Sequence, residues 1–160
     1  MKYIKTFIFA VLIFGCSQKG TNKFQPFDEL HGMRITKQIS GEEAQKVIDK
    51  LHGKSVTPVD NSIIFYKGEN GEAILYVSFY SDTNDAVAGY NKMVELISDG
   101  NEVFGHFHAY EINSQPLSMC LGMGQAHYFF YKNHFLYWLS CDMPIAQATV
   151  VDLINKLKNE

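Results

Sequence analysis

Apolar residues in this chain recur at two spacings, and the switches between them divide it into helices and strands. Ser40-Gly41-Glu42-Glu43 has the form of a capping box, and Ala44, Val47, Ile48 and Leu51 follow at helical spacing before Gly53. That pattern predicts an amphipathic helix. Ile63 to Lys67 and Ala73 to Tyr80, rich in β-branched and aromatic residues, flank Gly68-Glu69-Asn70-Gly71 and read as an antiparallel hairpin. A second helix is expected from Asp82 or Thr83, with Ala86, Tyr90, Met93 and Ile97 on one face and Asp99-Gly100 at its end. Strands follow at Val103 to Ile112, Leu117 to Leu121, Gln125 to Tyr131 and His134 to Cys141, joined by short polar or glycine-containing turns. A last helix, with Asp142 as its cap and Pro144 in its first turn, would bury Ala146, Val150, Leu153 and Leu157. The order helix, hairpin, helix, strands, helix is that of an α+β domain, an antiparallel β-sheet with helices packed on one face.

The N-terminus obeys neither spacing. Lys2 and Lys5 precede an uncharged stretch from Thr6 to Cys16 dominated by Phe, Ile, Leu and Val, the charge-then-apolar order of a secretory signal. A membrane-spanning helix needs about 20 apolar residues, roughly twice what this run offers. It ends in Leu12-Ile13-Phe14-Gly15-Cys16, which resembles the lipobox of bacterial lipoproteins: an aliphatic residue three before the cysteine and a small one just before it. The resemblance implies removal of residues 1 to 15 as a signal peptide, a diacylglyceryl thioether on Cys16 and a fatty acyl chain such as palmitate on the new amino terminus. Several chains at about 0.8 kcal/mol per buried CH₂ hold a protein on a membrane far more firmly than one. Ser17 stands where an inner-membrane retention signal would resemble Asp, so the resemblance places the protein in the cell envelope, on the outer membrane facing the periplasm in a double-membraned cell. Residues 16 to 26 then form the lipidated cysteine and a polar tether, and residues 27 to 160 a single domain.

A formal net charge of −3 with interspersed acids and bases supplies no basic stripe, so nucleic acid is not an expected partner. Cys120 and Cys141 fall on expected strands with a third between them. Two spacings of about 4.8 Å exceed the roughly 7 Å Cα limit for a bridge, so both should be buried free thiols. Asp85-Ala86-Val87-Ala88-Gly89-Tyr90, with Gly124-Gln125-Ala126-His127-Tyr128-Phe129-Phe130, resembles a family of uncharacterised bacterial secreted domains over most of residues 35 to 158. That resemblance implies no activity.

With Lys132-Asn133 as a two-residue turn, Tyr131 faces His134, Phe129 faces Leu136 and His127 faces Trp138. Alternation then puts Ala126, Tyr128, Phe130, Phe135, Tyr137, Leu139 and Cys141 on a core face beneath the helices. The other face mixes large aromatics with hydrogen-bonding tips, a composition that suits a protein contact or a shallow ligand platform. His127, Phe129, Tyr131 and Trp138 are its expected binding residues. The competing reading has Phe24 to Ile39 fold across this face and bury it.

Other chemistry has weaker signals. His106 and His108, two residues apart on a strand, would point the same way and could begin a metal site, with Met119, Cys120 and Met123 as soft ligands for copper or haem, yet no further ligand stands at recognisable spacing. Cys120 with His127 is the one pair suggesting nucleophilic catalysis, although Cys120 sits between Met119 and Leu121 rather than in an electropositive setting. No G-x-S-x-G, H-E-x-x-H or phosphate-binding glycine loop occurs. The expectation is a non-enzymatic envelope lipoprotein without a cofactor, binding an envelope protein or an apolar small ligand through its aromatic sheet face.

Overall fold

The computed structural model describes residues 24–52 and 58–159. Cys16, the signal segment and most of the expected tether lie outside the described residues. Two strands precede the first helix: the short β1 (Glu29–Leu30) and β2 (Met33–Ser40). Then come α1 (Glu42–His52), β3 (Asp60–Gly68), β4 (Gly71–Phe79), α2 (Thr83–Ile97), β5 (Phe104–Ile112), β6 (Gln115–Gly122), β7 (Gln125–Lys132), β8 (Phe135–Asp142) and α3 (Ala146–Lys158), which a short 3-10 turn at Met143–Ile145 leads into. The class is α+β, an antiparallel sheet with three helices.

All eight strands form one sheet in the order β1-β2-β3-β4-β8-β7-β6-β5, with every neighbouring pair antiparallel. It is two antiparallel four-strand units, β1 to β4 with α1 inserted between β2 and β3, and the meander β5 to β8, laid side by side through β4 and β8. Two-residue turns close most of the hairpins. His31-Gly32, Asn113-Ser114 and Met123-Gly124 all carry the positive φ that such turns need to match strand twist. Met123-Gly124 thus accounts for the glycine pair Gly122 and Gly124 by backbone geometry and close packing. At Gly122 a Cβ would come within 2.5 Å of the Phe104 ring, so only glycine lets β5 begin where it does.

The helices occupy both faces of the sheet, which corrects the expected one-sided packing. α3 buries Ala146, Val150, Leu153, Ile154 and Leu157 against Tyr66, Leu75, Tyr128, Phe130, Tyr137 and Leu139. Of these, Tyr128, Phe130, Tyr137 and Leu139 are residues of the face read as core. On the opposite face α1 seats Ala44 and Ile48 over Ile63, and α2 seats Ile97, Tyr90 and Met93 over Cys120, Phe129 and Trp138. The reason is the sheet order. Because β4 lies mid-sheet and β5 at its margin, the connection between them must cross β8, β7 and β6. A helix of this length spans about 22 Å, enough for most of the four strand spacings of about 4.8 Å between β4 and β5.

Helix and strand boundaries show where local signals mislead. Ser40 belongs to β2, and Gly41, at φ 61°, carries the carbonyl that accepts the first helical bond of α1 from the Gln45 N–H, so the expected cap is displaced by one residue. Val47 and Leu51 of α1 are exposed. Asp82 caps α2 as expected, its carboxylate accepting from the Asp85 N–H at 2.9 Å. Asp142 does not cap α3. Its carboxylate accepts from the Glu72 N–H and the Gln125 amide, stitching β8 to β4 and β7.

β2 escaped the sequence pattern because a register shift between Ile35 and Lys37 breaks its alternation, leaving Thr36, Lys37 and Gln38 all exposed. Phe24 is 8% exposed and packs edge-on against Phe27, Phe135 and Tyr137. The packed domain therefore includes residues that the sequence reading assigned to the tether.

Candidate functional site

The aromatic face is the first place to test. The turn between β7 and β8 is Asn133-His134 rather than Lys132-Asn133, with Asn133 at φ 53°. Tyr131 accordingly pairs with Leu136, Phe129 with Trp138 and His127 with Ser140. The slip is two residues, an even number, so every side chain keeps its expected face while its partner changes. Phe129 and Trp138 stack with ring centroids 5.1 Å apart and planes 10° from parallel. His127 reaches Trp138 diagonally: the indole N–H donates to His127 Nδ1 at 3.2 Å, and His127 Nε2 lies 3.0 Å from the Gly122 carbonyl oxygen. The pattern requires the neutral tautomer that carries its proton on Nε2. Burial lowers the His127 pKa below the ordinary histidine value, and the Gly122 carbonyl opposes that shift in part.

This face is covered, and α2 rather than the segment Phe24 to Ile39 does the covering. Phe129 has no exposed surface and His127 is 4% exposed. Tyr90 of α2 lies 5.8 Å from the Phe129 ring and 5.5 Å from the Tyr131 ring, and its hydroxyl shares a 2.8 Å hydrogen bond with Ser118. Tyr131 and Trp138 remain half-buried. The open aromatic platform expected from the strand pattern is therefore an interior layer, in which Phe129 and His127 have no surface to offer a partner.

Neither alternative chemistry finds its geometry. Cys120 and His127 are cross-strand neighbours, but both nitrogens of His127 are engaged elsewhere and burial pushes the Cys120 thiol up to about 11. A thiolate nucleophile needs the opposite environment. His106 sits at φ 54° in a bulge between Gly105 and His108, where two β5 residues oppose one of β6. The bulge cancels the alternation that would align His106 with His108; Phe107 turns toward Phe129 under α2 while His108 lines the opposite face. No cluster of three or more His, Cys, Asp or Glu side chains suited to a metal ion occurs among the described residues. Cys120 and Cys141 are free and buried, on β6 and β8 with β7 between them, and burial raises the Cys141 thiol to about 12.

What stays open is the α3 side of the sheet at its β5 margin. α3 lies over β8 and its neighbours, leaving the outer strands bare. There a broad-mouthed cleft of about 450 Å³ is lined by His108, Ala109 and Tyr110 of β5, Met119 of β6, Tyr128 of β7 and Gln147 of α3. Burial raises the pKa of the Tyr110 and Tyr128 phenols, so both stay neutral. No carboxylate or ammonium lines the cleft. Its walls offer phenol, amide and imidazole tips around a thioether, a set suited to an uncharged and partly apolar ligand group. His108 and Met119, candidate ligands, and Tyr128, assigned to the core, aside, these residues carried no signal in the sequence, because β5 and the start of α3 meet only in the folded chain.

A scan against protein-family models, a search of curated proteins and a search of solved structures each find no match to this chain. No helix among the described residues is long and apolar enough to cross a membrane.

Proposed function

We propose that this chain is an envelope lipoprotein, anchored through Cys16, whose domain is a non-enzymatic binding module that takes an uncharged, partly apolar group of its partner into the cleft between β5, β6 and α3. The observation that carries the binding site is the contrast in cover. One face of the outer strands is sealed by α2, while the other keeps Tyr110, Met119 and Gln147 around open space. The anchor is supported by Lys2, Lys5, the apolar run and the Leu12-to-Cys16 sequence.

Two experiments test the reading separately. Metabolic labelling with radioactive palmitate should mark the wild type and leave Cys16→Ala unmarked; label in both chains rules out Cys16 as the anchor. A photo-crosslinking residue at Tyr110, in the native envelope, should give a discrete adduct that Gln147→Arg, at an exposed position of the cleft wall, abolishes by filling the cleft with a charged side chain. The same residue at Leu51, exposed on α1, should give none. Equal adducts at both positions would overturn the cleft as binding site.

A further inference from the structure

His127 is the one histidine of the described chain with both ring nitrogens in hydrogen bonds of opposite sense, and it has no charged neighbour to help it change state. Phe104 faces it from β5 with ring centroids 5.1 Å apart, Cys120 and the Gly122 carbonyl from β6, and Trp138 and Ser140 from β8. α2 closes the cluster with Ile97. Cys120 is the titratable group among these, and burial keeps its thiol neutral. The carboxylate of Asp142 reaches this region only through the Gln125 amide and the Ser140 hydroxyl.

An imidazolium carries N–H on both nitrogens. Protonated His127 would turn an N–H toward the indole N–H of Trp138, a donor against a donor across 3.2 Å, with no anion to repay the conflict. We propose that the His127–Trp138 pair is an acid-sensitive latch: while His127 is neutral it holds Trp138 and the Phe104 end of β5 seated on the sheet, and its protonation releases both. The latch stands on the geometry of this cluster alone and does not depend on the cleft or on the lipid anchor.

The sign of the response follows from the environment. The unfolded chain binds the proton near the ordinary histidine value while the folded cluster resists it, so stability is full above that value and falls as the pH drops below it.

Trp138 is the sole tryptophan of the chain, so its emission reports on this position. In the full chain, solubilised in detergent, acidification should change that emission with a midpoint matching the titration of the His127 ring followed by NMR. Amides of residues 104 to 108 should exchange about tenfold faster once His127 is protonated, after correction for intrinsic rates. His127→Gln should abolish the change in emission. Trp138→Phe keeps an aromatic ring against Phe129 but removes the opposing N–H, and should move the His127 titration upward, toward that of a free histidine. The proposal is overturned if the emission change survives in His127→Gln, or if the His127 titration in Trp138→Phe matches the wild type. Should His127→Gln fail to fold, the Trp138→Phe titration decides alone.

Discussion

Strands β5 to β8 present two faces of similar composition, and the chain treats them in opposite ways. One holds Cys120, His127, Phe129 and Trp138 and is sealed by α2; the other holds Tyr110, Met119 and Tyr128 toward its outer margin and stays partly open. Both mix aromatic rings with hydrogen-bonding tips, so composition does not separate an open surface from a core. Connectivity does. The chain must travel from β4 to the far margin, and the helix that makes the trip covers whatever lies beneath it. No crossing is needed on the other side, where α3 simply follows β8 and leaves the last strands bare.

The sharpest way to break this comparison is to empty the sealed face. Phe129→Ala should cost about 3 to 5 kcal/mol in chemical denaturation, the range for a fully buried phenylalanine; a loss below about 1 kcal/mol would mean that α2 does not seal it. Trp138→Phe should cost about 1 to 2 kcal/mol at neutral pH, because His127 Nδ1 loses its donor while most of the ring packing survives. Asp82→Ala removes the cap of α2 and should cost about 1 kcal/mol, with faster exchange of the first α2 amides. The smallest effect belongs to the open face. Tyr110→Ala, at a residue 38% exposed, should change stability by less than about 1 kcal/mol. A larger cost there would recast the cleft wall as structural.

Much of the fold was legible because its local rules are strong. Tyr128, Phe130, Tyr137 and Leu139 were assigned to the core face from alternation alone, and the two-residue error in the β7–β8 turn left that assignment intact. α2 was readable from Asp82 and the spacing of Ala86, Tyr90, Met93 and Ile97. The losses share a cause: bulges at Thr36 and His106 interrupt alternation, so β2 went unseen and His106 was wrongly aligned with His108. The cleft was illegible for a different reason. Tyr110, Met119, Tyr128 and Gln147 come from four separate elements, and nothing in their local sequence says that they converge. The same holds for the cover over Phe129, which follows from strand order and not from any residue of β7.

In the anchored form proposed above, Phe24, wedged beside Phe135 and Tyr137, would fix where the domain takes hold of its leash. Eight peptide units separate it from Cys16, and at full stretch they reach about 28 Å. With fat on that sulfur, as proposed above, the strand ends around Phe24 are held within one small domain's width of the lipid headgroups. Lengthening the leash would then widen the territory that the domain can patrol without altering a single contact inside it.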